Sequence, residues 1–190
     1  MTTTSIGAAS AAAGTTTGRL RGLVAEIRAA VDRGLPPEPT ARLVGERLAP
    51  HLGAPDLLTP AQCEGDPEHY RQHVLHAEPD GGFSVVAIVW LPGQGTPVHD
   101  HVAWCVAGVH QGEEHERRYQ LVPDGTSARL LATQDVVNGP GEVAAFAPPG
   151  DIHSVRNAGD RTALSLHVYG ADITRLGTSV RRLYRLPADR

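Results

Sequence analysis

The stretch GQGTPVHDHVAWCVAGVHQG, residues 93–112, decides how the rest of the chain is understood. It opens on a Gly/Pro-rich turn and continues as an extended, alternating run in which two histidines, His99 and His101, stand one residue apart. Side chains of a strand alternate with a period of 2, so both imidazoles project from one side and Asp100 from the other. Two imidazoles on one face of a strand add little to a core. They can, however, present ring nitrogens to a single ion, which leaves Asp100 as a structural or supporting partner.

Working outward, the texture on both sides is short β-rich runs: HVLHA, FSVVAIVWL, WCVAGVH, RRYQLV, ARLLA, EVAAFA, IHSVRN and ALSLHVYG. Turn signals separate them, namely PDGG, LPGQGTP, PDGT, NGPG and PPGD. Short strands at this spacing imply a mainly β fold, a sandwich or small barrel, over residues 67–190. Upstream, Leu20, Leu23, Val24, Ile27 and Val31 recur at helical spacing before Gly34, predicting a helix over 19–34. A second helix is expected over about 40–51, and a short third at Thr59-Pro60, a cap followed by proline. Residues 19–66 thus form a helical N-terminal segment. Residues 1–18, MTTTSIGAASAAAGTTTG, lack a basic start and an apolar centre and are expected to be a disordered lead.

The chain has 190 residues, a formal net charge of -4 and 41% hydrophobic residues, enough for one domain with a real core. An acidic balance with no contiguous basic face argues against nucleic-acid or membrane partners. All 17 basic residues are arginine, the better fork for a carboxylate. Cys63 and Cys105 form no disulfide pattern, so a reducing cytoplasm is expected, with the chain a monomer or weak homo-oligomer.

A third histidine, His153, opens another strand after the turn in PPGD. Three neutral imidazoles on a rigid barrel make a facial set suited to Fe, Zn, Cu or Ni. The spacing Gly93, five residues, His99-x-His101, three residues, Cys105, six residues, Gly112 resembles the first cupin motif, with cysteine where most cupins have glutamate. Gly141, six residues, Pro148-x-Gly150, two residues, His153, three residues, Asn157 resembles the second, one residue longer in its first gap. A cupin with three histidines and no glutamate resembles the cysteine dioxygenase family of thiol dioxygenases. The match runs from about Tyr70 to Tyr169.

The resemblance implies a cupin β-barrel with N-terminal helices, and Fe(2+) held by His99, His101 and His153. It implies a small thiol and O2 as substrates, and a sulfinic acid as product. Ser165, His167 and Tyr169 share one face of their strand and match the family's Ser-His-Tyr relay, with Tyr169 toward substrate. Mammalian-type members join a cysteine near position 105 to the relay tyrosine by a thioether, while most bacterial relatives have glycine there. Cys105 is therefore either linked to Tyr169 or a free buried thiol. Where cysteine-specific members carry a clamping arginine, this chain has Gln72, as in bacterial 3-mercaptopropionate dioxygenases, with Arg71 one step away. Those relatives recruit an arginine from beyond the tyrosine, where Arg175, Arg181 and Arg182 are available. A thiol carboxylate such as 3-mercaptopropionate is the expected substrate, with L-cysteine, mercaptosuccinate and ergothioneine as alternatives. His73, His76, His110 and His115 are further polar candidates for the pocket. A quercetinase- or isomerase-like cupin would keep the glutamate, and a non-catalytic binding cupin would show eroded ligands.

Overall fold

The computed structural model describes residues 9–11, 16–125 and 127–185. Most of the expected lead therefore lies outside the described residues. Within it Ala9–Ala11 forms a short strand, β1, and helix α1, Gly18–Val31, begins at its last residue. The Thr17 side chain caps α1 by accepting from the Leu20 amide at 3.1 Å, and Leu20, Leu23, Val24 and Ile27 form its buried stripe. Helix α2, Pro37–Leu48, starts earlier than the apolar spacing suggests, because a proline in the first turn gives up an amide that has no helical partner. It tightens into a 3-10 turn at Ala49–His51, where Pro50 ends the α-helical ladder. At a 3-10 turn, Pro60–Cys63, Gln62 Oε1 reaches back to accept from the Thr59 amide at 2.9 Å.

The strands follow as β2 Arg71–Ala77, β3 Ser84–Trp90, β4 His99–His101, β5 Cys105–Gln111, β6 Glu114–Asp124 and β7 Ser127–Asn138. Next come β8 Val143–Phe146, β9 His153–Arg156, β10 Ala163–Tyr169, a short helix α3 Ile173–Leu176, and β11 Val180–Leu183. They form a sheet in the order β1-β2-β3-β10-β5-β8 and a second in the order β11-β4-β9-β6-β7. Apart from the parallel β1–β2 pair, the pairings are antiparallel. This is a mainly β fold with N-terminal helices, as the motifs imply.

Every residue of β3 and β10 is buried, which an antiparallel sheet with one wet face would not allow. The two faces have different neighbours. Val85, Ala87, Val89, Leu164, Leu166 and Val168 pack on Leu23, Ile27, Val44 and Leu48 of the helices. Val86, Ile88, Trp90, Cys105 and Tyr169 belong to a separate cluster inside the barrel. Parity along β10 thus decides role: even positions hold the helices, odd positions face the interior where chemistry is placed.

The β6–β7 ribbon is longer than the runs RRYQLV and ARLLA suggest, because its outer residues are polar and hide the alternation. Strand β11 is unexpected from sequence. VRRL reads as a charged edge, yet it pairs with β4, setting Val180 opposite His101 and Leu183 opposite His99.

Gly112 of the first motif has φ +73, and a Cβ there would sit 2.8 Å from Ala163 Cα and 2.9 Å from the Thr162 carbonyl oxygen. Both obstacles are backbone and cannot turn aside. Gly112→Ala is expected to cost about 2–3 kcal/mol through combined strain and overpacking, lowering Tm by roughly 5–10 °C for a chain of this size. Thermal unfolding measures it, and an unchanged Tm would show that the β5–β10 approach is not tight.

Candidate metal centre and its cavity

His99 and His101 lie on β4 and His153 opens β9, directly across from His99 in the ladder. Each offers one ring nitrogen, and these nitrogens lie within 4.8 Å of one another. All three side chains are buried.

Their orientation is set by what stands behind them. His99 Nδ1 donates to the Pro97 carbonyl at 3.0 Å, His101 Nδ1 to Asp151 Oδ2 at 3.1 Å, and His153 Nδ1 to Glu116 Oε1 at 2.9 Å. With each Nδ1–H committed, the lone pair of each Nε2 is left for an ion. The chemistry of the donor set therefore fits a divalent transition metal such as iron. Burial, then the neighbouring imidazoles, holds His99 well below the usual histidine range. Burial also lowers His153, outweighing the hydrogen bond to Glu116 that opposes it. His99 and His153 are thus neutral.

The carboxylates behind them are charged. Burial pushes Glu116 up, but hydrogen bonds from His153 and Arg118 win and hold it at about 2. Arg118 grips both Glu116 oxygens, at 3.1 and 3.0 Å, and lies over the Phe146 ring. Burial likewise pushes Asp151 up, and hydrogen bonds from the His101 ring and backbone amide bring it below its ordinary value. Sequence reasoning missed both acids. Asp151 sits two positions before His153 and was readable; Glu116 becomes a partner only through the β6–β9 register, which sets it against Val155 beside His153.

The odd positions of β10 place Ser165, His167 and Tyr169 on one line. Tyr169 Oη lies 3.3 Å from His167 Nδ1, His167 Nε2 lies 3.0 Å from Ser165 Oγ, and the Trp90 indole donates to that same Oγ at 3.1 Å. Burial takes His167 down to about 3, with the neighbouring His101 and His153 imidazoles adding to the effect, so it is a neutral relay member. Burial raises Tyr169 well above an ordinary phenol, with Cys105 adding to the effect and Ser179 opposing it. Cys105 is the cross-strand partner of Tyr169, and burial, then Asp151 and Glu116, keeps its thiol protonated.

One cavity gathers the three histidines, His167 and Tyr169. Tyr70, Gln72, Thr96, Thr178 and Ser179 add polar groups to its wall, and Ile88, Val155, Val180 and Leu183 add apolar ones. Among the described residues, no arginine lines it. Arg71 approaches Glu64 at 4.0 Å and Arg175 holds Asp172 and the Pro79 carbonyl. Arg181 donates to Asp100 Oδ2 at 2.5 Å, Tyr184 donates to the same oxygen at 2.8 Å, and Arg182 stands 3.6 Å away. Asp100 thus pins β11 along the back of the HxH strand. His73, His76, His110 and His115 are engaged elsewhere, with the Glu64 carbonyl, Glu78, the Gly53 amide and Asp135 respectively.

The family model for cysteine dioxygenase type I matches residues 62–177, well over half of the chain. Among solved structures, the chain is similar to a Thermus thermophilus protein at 23% identity, covering 58% of this chain and 91% of that one, with a TM-score of 0.43. It is also similar to a cupin 2 conserved barrel domain protein of Salinispora arenicola, at 24% identity over 59% and 83% of the two chains, TM-score 0.41. A Klebsiella pneumoniae protein with a double-stranded beta-helix domain is similar at 17% identity over 63% and 87%, TM-score 0.44.

If the carboxylates orient the ligands, Glu116→Gln and Asp151→Asn should each weaken metal binding about 10–100-fold. Competition against a chelator reads this directly. Wild-type affinity in both variants would show that the acids serve packing alone.

Proposed function

This chain belongs to the cysteine dioxygenase type I family, and from that premise we propose that it is a non-haem iron(II) thiol dioxygenase. It adds both atoms of O2 to the sulfur of a small thiol, RSH + O2 giving RSO2H, with the sulfur supplying every electron that O2 takes up. The observation that carries this is the convergence of three buried imidazoles and the Tyr169 end of the Ser-His-Tyr line on one cavity. His99, His101 and His153 would hold the iron(II), which when bound would supply a Lewis-acidic centre that lowers the thiol's pKa.

The chain's own residues do the rest. Three uncharged ligands leave the ion's double charge for anionic sulfur to neutralise, which a ligating glutamate would have half satisfied. Glu116 and Asp151 hold the imidazoles in the ligating tautomer. Ile88, Val155, Val180 and Leu183 limit water, and Tyr169 holds a proton at the cavity wall.

Gln72 in the wall supports a thiol carboxylate such as 3-mercaptopropionate. With no guanidinium among the described lining, its carboxylate is held by hydrogen-bonding groups and by the metal's charge. Oxygen uptake by iron-loaded protein, with sulfinate detection, tests the reaction on 3-mercaptopropionate, L-cysteine, mercaptosuccinate, ergothioneine and uncharged 3-mercaptopropanol. The expected result is highest kcat/KM for 3-mercaptopropionate, with 3-mercaptopropanol within roughly tenfold because no buried cation is stranded by its loss. A dominant L-cysteine rate would reject the Gln72 assignment. Iron loading without O2 uptake on any thiol would make the protein a binding cupin.

The cross-strand pairing of Cys105 with Tyr169 supports a thioether between them. With iron and O2 as oxidant, repeated turnover should lower the intact mass by two hydrogen atoms and join the two peptides. Free Cys105 and unmodified Tyr169 after many turnovers would rule the link out.

A further inference from the structure

Glu114, the first residue of β6, is a carboxyl the mechanism above does not use. It is 3% exposed, whereas the other buried acids among the described residues, Asp100, Glu116, Asp151 and Asp172, each face an arginine or a histidine. Ser165 and the Trp90 indole, whose N–H donates to Ser165 Oγ, are the polar groups that favour its ionised form, while its Oε1 is buried with no hydrogen-bond partner. A buried ionised carboxylate with an unpartnered oxygen is costly, so the protonated form is strongly favoured relative to an acid in water. No arginine stands opposite it among the described residues lining its side of the barrel. The titratable groups around it are Glu116 on its own strand, Glu142 before β8, His153 on β9, and His167 beyond Ser165 on β10. Burial, with the Glu116 charge added and the Ser165 and Trp90 hydrogen bonds opposing, leaves Glu114 at about 7.

We propose that Glu114 is the fourth member of the relay, a positioning residue whose proton sets the direction in which Ser165, His167 and Tyr169 hydrogen-bond. The bookkeeping of donors allows two states. With Glu114 as the acid, its O–H and the Trp90 N–H both donate to Ser165 Oγ. Ser165 then donates to His167 Nε2, His167 Nδ1–H donates to Tyr169, and the phenolic proton points into the cavity. With Glu114 as the carboxylate, Ser165 donates to it, His167 carries its proton on Nε2, and Tyr169 donates inward to Nδ1. The states differ by one proton, entering at Tyr169 and stored on Glu114, with neither a phenolate nor an imidazolium formed. On the thiol dioxygenase reading, on which this use rests, the proton shed by the thiol as it becomes a thiolate has a place to go.

The test is made on the full, metal-free protein labelled with nitrogen-15, so that it does not depend on turnover. Long-range proton–nitrogen spectra report which ring nitrogen of His167 carries hydrogen, with its signals assigned by their loss in His167→Gln. The expected result is a shift from Nδ1–H to Nε2–H as pH rises through neutrality, and no pH-dependent shift in Glu114→Gln. Wild-type protein labelled with carbon-13 at glutamate carboxyls should show one buried carboxyl titrating in step with that shift, which covers the case of a poorly folded variant. A single His167 tautomer on both sides of neutrality, or a shift that survives Glu114→Gln, overturns the proposal. Absence of O2 uptake on every thiol would reject the dioxygenase reading and leave the spectra to decide this one.

Discussion

Three histidines can grip one cation only if each keeps a lone pair pointed at it, and an imidazole buried among other imidazoles does not do so unaided. Here each Nδ1–H has its own acceptor: the Pro97 carbonyl, Asp151 and Glu116. These three hydrogen bonds fix ring rotation and tautomer together. The surrounding structure can be understood as the means of holding those acceptors still: Arg118 clamps Glu116, the His101 amide holds Asp151, and β9 lies between β4 and β6.

The same economy governs the barrel wall. Helices α1 and α2 cover the outer face of β3, β10 and β5, which releases the inner positions of those strands from supplying the main apolar core. Ser165, His167, Tyr169 and Cys105 therefore sit on strands anchored from behind by Leu164, Leu166, Val168 and Val106. Polar function on a buried strand is stable because alternate residues of that strand are held by aliphatic packing. On the second sheet, β11 closes the cavity with Val180 and Leu183 while its arginines turn outward to Asp100. That middle residue of the HxH triplet is thus what fastens the cavity's far wall.

The residues legible in the sequence were those governed by local periodicity. His99 and His101 are two apart, Ser165, His167 and Tyr169 are two apart, and a strand puts such residues on one face. The helix α1 stripe was equally plain. What the sequence concealed depends on register between distant strands. Glu116 meets His153 across 37 positions and Asp151 meets His101 across 50. The arginines were hidden for a related reason: a register irregularity between Val180 and Arg182 sets which side chains face the cavity, and an isolated VRRL gives no sign of it. Glu114 stands in the charged run EEHERR, and its burial follows from the pairing of β6 rather than from its neighbours in sequence.

Anomalous diffraction at the iron edge from iron-loaded crystals tests the central arrangement most directly. A single peak within bonding distance of Nε2 of His99, His101 and His153, with Glu116 and Asp151 still hydrogen-bonded to the Nδ1 atoms of their histidines, is the predicted result. A peak bound through either carboxylate, or one that leaves any of the three imidazoles uncoordinated, would contradict it.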